Sequence, residues 1–150
     1  MSAVPHDVLV RALDAYAAFY ETLTPASLAR LADHVTPDVH FRDPFNDVRG
    51  IDRLRRILEH MFSVTDDSRF VVTDRAFGAD AAYVRWRYTF RPKGAAGAPW
   101  EIVGLSELSF GADGRVISHI DHWDAAGQFY ERIPVLGALL RLARRRVAAP

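Results

Sequence analysis

The sequence of 150 residues contains no cysteine, and its 19 basic residues include a single lysine, Lys93. Without cysteine the chain can form no disulfide, thiolate nucleophile, zinc–thiolate site or iron–sulfur cluster. One lysine leaves almost no candidate for Schiff-base catalysis, which requires a lysine amine. These absences exclude disulfide-rich scaffolds and thiol-dependent enzymes, and they argue against Schiff-base enzymes.

An excess of charge of one sign is also missing, because 19 basic residues balance 19 acidic ones. A neutral chain is not expected to be a dedicated nucleic-acid-binding protein, since that affinity comes largely from a basic surface. The N-terminal segment lacks the basic region, apolar core and cleavage site of a signal peptide, so we expect a cytoplasmic location. With 49% apolar and 25% charged residues, the composition is typical of a globular protein, and the length favours one domain over residues 1–150.

Helical periodicity is present near the N-terminus and in the tail. Apolar residues recur at helical spacing over residues 6–23, 27–34 and 51–64, which predicts three N-terminal helices. Residues 125–147 are also helical in pattern. Pro134 interrupts them by removing a backbone donor, which predicts two short helices instead of one.

A period of two marks the middle of the chain. It predicts four strands at residues 70–77, 82–90, 100–110 and 116–123, and the short turns between them favour antiparallel pairing. A shorter alternating segment spans residues 39–45. Helices followed by strands predict an α+β fold, in which the helices pack over the concave face of a curved antiparallel sheet and leave a pocket.

Two motifs carry a resemblance to a known family. One is the segment Asp38–Phe45, and the other runs from Phe110–Val116 through His122 and Trp123. Together with the order of elements, they resemble the NTF2-like superfamily, and within it the SnoaL-like and ketosteroid-isomerase-like branch. The resemblance covers about residues 6–124, with 125–150 as a helical extension. It implies a cone-shaped α+β fold with a deep apolar pocket, often dimeric, in a family of isomerases, cyclases, epoxide hydrolases and non-catalytic binding modules.

The resemblance gives Asp43 a role, because in ketosteroid isomerases the aspartate of the Asp-Pro motif is the general base. Abstracting a proton beside a carbonyl requires a base with a raised pKa in a dry site. Phe41 and Phe45 lie on the same side of the segment as Asp43 and can desolvate it, whereas Arg42 and Arg49 favour its charged form. The alternative is a structural aspartate that initiates the Asp-Pro turn.

The oxyanion donors of the ketosteroid isomerases are missing, since the matching positions carry Phe19 and Ser106. Loss of one such donor costs on the order of 100- to 1,000-fold in rate. We therefore expect little or no isomerisation of a ketosteroid. Tyr16 and Tyr20 lie within one turn of Phe19, and either hydroxyl can reach the same space; the alternative is that both are ordinary core residues of the helix.

The last predicted strand places His119, Asp121 and Trp123 on one face. The resemblance implies that Trp123 lines the pocket, which predicts that His119 and Asp121 form an acid–base pair in the cavity. A histidine that bonds a backbone group at the sheet surface is the alternative. His122 points to the opposite face, so we predict no metal site, and we predict no cofactor.

The predicted function is binding of a hydrophobic small molecule in an apolar pocket. Asp43, His119 and Asp121 are the candidate catalytic residues for isomerase-, cyclase- or hydrolase-like acid–base chemistry, with Asp43 as the base. The alternative is a non-catalytic binding or dimerisation module with a vestigial pocket. The candidate ligand-binding residues are Tyr16, Phe19, Tyr20, Phe41, Phe45, Leu58, Phe62, Trp86, Tyr88, Ser106 and Trp123.

Two surfaces are candidates for contacts outside the pocket. Tyr83, Arg85 and Arg87 point away from the core, and this mixture predicts a homodimer through the outer sheet face. The arginine-rich tail allows three interpretations: a docked helix with solvated arginines, a pocket lid, or a basic amphipathic helix on an anionic membrane surface. A free helix of this length is marginal in water, so we expect residues 135–143 to pack near the cavity mouth.

Overall fold

The fold is α+β in a computed structural model, whose described residues, 4–149, form five α-helices, two 3₁₀ turns and one six-stranded sheet. The helices are α1 (His6–Glu21), α2 (Leu31–His34), α3 (Ile51–Val64), α4 (Ala125–Gln128) and α5 (Leu136–Val147). The strands are β1 (Val35–Arg42), β2 (Asp47–Arg49), β3 (Thr65–Phe77), β4 (Ala82–Pro92), β5 (Trp100–Phe110) and β6 (Val116–His122). The 3₁₀ turns span Ala26–Arg30 and Tyr130–Arg132.

The predicted N-terminal helices are confirmed, although the second one divides into a 3₁₀ turn followed by α2. The apolar stripe of α1 buries Leu13 and Phe19, and that of α3 buries Leu54 and Leu58. α3 begins directly after Gly50, whose φ of 100° is one that residues with a side chain rarely adopt. Within residues 4–149, no helix is long and apolar enough to cross a membrane.

The strand order of the curved sheet is β2–β1–β6–β5–β4–β3. The predicted antiparallel meander is present from β3 to β6. β1 pairs with β2 in antiparallel fashion and with β6 in parallel, so the sheet is mixed. Residues 43–115 separate β1 from β6, and no tight hairpin therefore dictates their relative direction.

Two strands differ from their predicted bounds. β3 begins at Thr65, before its predicted start, because the polar residues around Asp67 form an irregularity within the strand and do not precede it. The pairing of β3 with β4 shifts register between Asp66 and Arg69, and Asp67 has a φ of 54°. β1 begins earlier and ends earlier than the predicted segment, since the backbone leaves the sheet at Asp43.

Pro134 interrupts the tail as predicted, with α4 and a 3₁₀ turn before it and α5 after it. The joint is a γ-turn with positive φ: Val135 has φ 67° and ψ −60°, and the Leu136 amide donates to the Pro134 carbonyl at 2.8 Å. Before the joint, the Gln128 side chain accepts from the Val103 amide at 2.7 Å and donates to the Val103 carbonyl at 3.0 Å. The first half of the tail is thereby tied to the sheet.

The expectation that residues 135–143 pack near the cavity mouth is wrong. α5 packs chiefly on the 3₁₀ turn before it, and its Leu139 and Leu142 are 60% and 54% exposed. The tail residues that line the cavity are Phe129 and Tyr130. Because these two aromatic rings already occupy that place, α5 lies outside it.

Candidate functional site

A cavity of about 760 Å³ lies between the sheet and the helices, and its wall is mostly apolar. α1, α3, the segment after β1, the tail before Pro134 and five strands (β1, β3, β4, β5 and β6) contribute to it. All three candidate catalytic residues and nine of the eleven candidate ligand-binding residues lie on its wall, namely Asp43, His119, Asp121, Tyr16, Tyr20, Phe41, Phe45, Leu58, Trp86, Tyr88, Ser106 and Trp123.

Phe19 and Phe62 do not line the cavity, so their assignment as ligand-binding residues is corrected. Phe19 is 3% exposed and packs on the ring of His34, with centroids 4.5 Å apart. It points there because Tyr16 and Tyr20 take the cavity-facing stripe of α1. Phe62 packs against the core beside the cavity-facing stripe of α3, in which Met61 lines the wall instead.

A chain of hydrogen bonds crosses one wall of the cavity. The Trp86 indole donates to Ser106 Oγ at 2.8 Å, and Ser106 donates to Asp121 Oδ1 at 2.5 Å. His119 Nε2 lies 2.8 Å from the same Asp121 oxygen, and His119 Nδ1 lies 2.8 Å from the Tyr16 hydroxyl. With neutral imidazole, Nε2–H donates to the carboxylate and Nδ1 accepts from Tyr16. The interpretation of His119 as bonded to backbone is therefore wrong.

His119 links Tyr16 to Asp121 in this series of hydrogen bonds. Its side chain is 4% exposed, and protein groups occupy both ring nitrogens. Asp121 is different, because both bonds fall on Oδ1, and no hydrogen bond from residues 4–149 reaches its Oδ2. His119 thus fixes the orientation of Tyr16 and Asp121, which line the cavity beside it.

The Tyr20 hydroxyl is buried and has no hydrogen-bond partner among the described residues. Burial raises its pKa, the neighbouring Tyr16 hydroxyl offsets part of that rise, and the charges of Asp121 and Asp43 raise the pKa further. The pKa of Tyr16 is also raised well above its usual value, first by burial and then by Tyr20. Both phenols are therefore neutral at pH 7, and Tyr20 has a proton to donate to an acceptor that enters the cavity.

Asp43 forms the turn that its Asp-Pro sequence predicts, and it also lines the cavity. Its Oδ1 accepts from the amides of Phe45 and Asn46, each at 2.7 Å, and from Asn46 Nδ2 at 3.1 Å, which is the expected turn. Its Oδ2 has one long contact, 3.2 Å to Asn46 Nδ2. Burial raises the pKa of Asp43 despite these bonds, and the charge of Asp121 adds to the rise. Asp43 therefore forms the expected turn, and its carboxyl group of raised pKa lies on the cavity wall.

The remaining polar candidates behave as their strand positions predict. His122 lies on the face opposite to His119 and meets Glu107 at 3.2 Å. Among residues 4–149, no group of three or more His, Asp or Glu side chains is arranged to hold a metal ion.

Several lining residues escaped the sequence analysis. Phe70 and Phe90, neither of which was selected, form a stacked row with the predicted residue Tyr88, with centroids 4.3 and 4.9 Å apart. The alternation of apolar and polar residues in β4 extends to Phe90, so this residue could have been predicted to face the cavity. At the mouth, the rings of Phe45 and Phe129 lie 5.2 Å apart. No local pattern indicated that contact, because it joins segments far apart in the chain.

This fold and cavity are those of the NTF2-like, ketosteroid-isomerase-like α+β group. Within that group the chain belongs to the SnoaL-like domain family, whose family model matches residues 16–119. No curated protein sequence matches the chain. The family assignment therefore rests on the domain match and on the fold.

Solved structures with this fold carry several activities. A candidate SnoaL-like polyketide cyclase from Jannaschia is similar with a TM-score of 0.68 and 16% identity, covering 100% of this chain and 99% of that one. A steroid delta-isomerase from Pseudomonas aeruginosa gives 0.58 and 20%, covering 97% and 100%. An LEH-like epoxide hydrolase from M. tuberculosis gives 0.61 and 16%, covering 99% of both chains. At these identities, the likeness is one of fold alone.

Proposed function

We propose that this protein binds an apolar small molecule that carries a carbonyl group and moves a proton at the carbon beside that group. Asp43 is the base in this proposal, and Tyr20 donates a hydrogen bond to the oxygen. The observation that carries the proposal is the buried, unpartnered Tyr20 hydroxyl on the same cavity wall as a carboxylate of raised pKa. The names of two structural neighbours, a steroid delta-isomerase and an epoxide hydrolase, support a catalytic role.

The cavity wall favours a ligand with flat apolar surfaces. The stacked row of Phe70, Tyr88 and Phe90 offers a planar aromatic surface. Aromatic groups bury large areas and pack well against other rings. With a volume of about 760 Å³, the cavity is in the range of sites for drug-sized molecules. We therefore expect a cyclic or polycyclic ligand with few polar atoms.

The proton transfer follows from the groups on the wall. Asp43 takes the proton as the C–H bond breaks, and the electron pair moves into an enolate whose oxygen accepts from Tyr20. The protonated Asp43 then returns the proton to the same or another carbon of the enolate. Alternatively, the enolate carbon bonds to a second carbonyl carbon, whose π electrons move to its oxygen, and that oxygen takes the proton from Asp43. Because burial raises the pKa of Asp43, that pKa lies closer to neutral pH than the pKa of a solvated aspartate, and Asp43 is a stronger base.

His119 acts through its neighbours in this proposal. Its bonds to Tyr16 and Asp121 hold both side chains in fixed orientations. The charge of Asp121 raises the pKa of Asp43, which favours the proton on Asp43 once it has been transferred. Ser106 takes no part as an oxyanion donor, because its hydroxyl already donates to Asp121.

The test is hydrogen–deuterium exchange beside the carbonyl of 2-tetralone, an apolar bicyclic ketone, followed by NMR in D₂O. We expect the wild-type protein to accelerate exchange and Asp43→Asn to lower the rate by about 100-fold, the usual contribution of a positioned base. Tyr20→Phe should lower it by about 100-fold or more. Asp38→Asn is the matched control, because Asp38 is an exposed aspartate of β1.

A non-catalytic binding module is the second candidate, and the three hydrogen bonds on Asp43 Oδ1 favour it. Those bonds stabilise the carboxylate anion as an acceptor. If the protein is such a module, the wild type should bind 2-tetralone without accelerating exchange. Titration of tryptophan fluorescence measures that binding. Exchange that is equally fast in wild type and Asp43→Asn would remove Asp43 from the mechanism.

A further inference from the structure

α5 presents an apolar face that the rest of the chain leaves uncovered. Leu136, Leu139 and Leu142 are 39%, 60% and 54% exposed, and Val147 is 88% exposed. A helix on a globular domain normally turns its apolar face to the core. Gly137 is the buried residue of α5, so this helix does the opposite.

The contacts that dock α5 are polar and lie on another side of the helix. The Gly137 amide donates to the Ile133 carbonyl at 2.7 Å, and Gly137 lies so close to the Glu131 carbonyl that a Cβ would clash with it. Arg141 donates to the same carbonyl at 2.9 Å, and Arg144 pairs with the Glu131 carboxylate at 2.9 Å. Docking through these contacts leaves the leucines facing outward.

The charge of the tail has one sign. No acidic residue follows Glu131 in the sequence, whereas five arginines do, at positions 132, 141, 144, 145 and 146. Within the described part of the chain, Arg145 and Arg146 pair with no carboxylate. At about 1.5 Å per residue, α5 is about 18 Å long, too short to cross the roughly 30 Å core of a bilayer.

We propose that α5 lies on an anionic lipid surface, with its leucines in the interface and its arginines among the headgroups. The outward side of α5 carries Leu139 and Leu142 with Arg146 between them, and a long arginine side chain can reach headgroups while its stem lies among leucines. A short helix of leucines and arginines without acidic residues is typical of interfacial helices. A second copy of the chain is a poorer occupant, because it would bring two arginine-rich helices together, whereas anionic headgroups neutralise them. α5 packs on the turn that carries Tyr130 of the cavity wall, so this docking brings that side of the cavity to the lipid.

The test is co-sedimentation with vesicles of phosphatidylcholine and phosphatidylglycerol in a 7:3 ratio, compared with pure phosphatidylcholine. The wild-type protein should bind the anionic vesicles at least 10-fold more tightly than the neutral ones, and 0.5 M NaCl should weaken binding. Leu139→Glu with Leu142→Glu should lower binding at least 10-fold. Arg145→Ala with Arg146→Ala should lower it several-fold.

Two controls separate this proposal from its rivals. Ile117→Glu places the same charge on an exposed apolar residue of β6 and should bind as wild type does. Asp43→Asn should also bind as wild type does, so the lipid proposal stands or falls apart from the proposed chemistry. Equal binding to both vesicle types, or unchanged binding by the double leucine variant, would overturn the proposal. A wild-type dimer that the leucine variant splits, with no vesicle binding, would identify a second copy as the occupant.

Discussion

Gln128 pairs with the backbone of Val103 through both atoms of its side-chain amide, as a neighbouring strand would. The pairing occurs where a strand partner is missing. β6 ends at His122, opposite Leu105, and so does not extend to Val103. Gln128 takes the place of the missing strand and holds the residues that follow it over the cavity mouth.

Gln128→Leu keeps most of the side-chain volume but removes both hydrogen bonds. Because the bonds are exposed, we expect a loss of about 1 kcal/mol of stability. In a domain of this size, that lowers Tm by about 2–4 °C. Amide exchange over residues 125–132 should accelerate, with β4 unchanged. Ala126→Ser, an exposed change in the same helix, serves as the control, and equal exchange in both variants would contradict the role of Gln128.

Gly104 allows the Trp86 ring to lie flat against β5. A Cβ at this position would lie 2.5 Å from two carbons of the indole and 3.1 Å from Trp123 Cβ. Gly104→Ala should therefore displace Trp86, shift its fluorescence and cost about 1–3 kcal/mol, as overpacking does.

A double-mutant cycle with Trp86→Phe tests the cause, since phenylalanine lacks the two carbons that clash. We expect Gly104→Ala to cost clearly less stability in the Trp86→Phe background, measured by urea denaturation. Equal costs in both backgrounds would show that the Trp86 ring is not the obstacle.

The raised pKa of Asp43 makes stability depend on pH in a defined direction. Because burial raises the pKa of the folded state above the ordinary value of 3.8, the folded protein binds this proton more tightly than the unfolded chain. Ionisation of Asp43 therefore costs stability as pH rises from about 3.8 through the folded-state pKa.

Asp43→Asn removes that ionisation. The stability of the variant relative to wild type should rise across this pH window and level off above it, in urea titrations from pH 3 to pH 7. Asp38→Asn, which changes an exposed aspartate of β1, should show a difference that varies little with pH. A flat difference for Asp43→Asn as well would exclude the raised pKa.

The outer face of the sheet remains a proposed dimer interface. On this face, Arg85 of β4 lies opposite Leu105 of β5, and Arg87 lies opposite Val103. Val103 and Leu105 are each 37% exposed, so apolar groups alternate with arginines. We expect a dimer mass by light scattering at micromolar concentration, and a monomer mass for Arg85→Glu with Arg87→Glu. A monomeric wild-type protein would refute this interface.

Local patterns predicted the elements of this fold because each pattern reports one face of one element. The alternation through Trp86 and Tyr88 gave the cavity-facing side of β4, and the helical spacing of Leu54 and Leu58 gave the buried side of α3. The turn at Asp43 followed from its Asp-Pro sequence. The parallel pairing of β1 with β6 did not follow, since no local signal fixes the direction of distant strands.

Most residues of the site were predicted, and so was the pairing of His119 with Asp121. The contacts between distant segments were not. The hydrogen bond between Tyr16 and His119 joins residues 103 positions apart, and no sequence pattern near either residue indicates it. Sequence spacing suggested His119 as a direct acid or base, yet both of its nitrogens have protein partners. Phe129 was missed because its contact with Phe45 depends on how the tail returns to the sheet.

The γ-turn at Val135 makes the position of α5 depend on ionic strength. A β-branched residue in this conformation costs about 1–3 kcal/mol, which other contacts must offset. The ion pair of Arg144 with Glu131 offsets part of this strain, and the Arg144 side chain is 61% exposed. Salt screens an exposed pair, whereas the strain at Val135 does not change with salt. High salt therefore favours release of the helix, and the junction at residues 133–136 then becomes a preferred site for proteolytic cleavage.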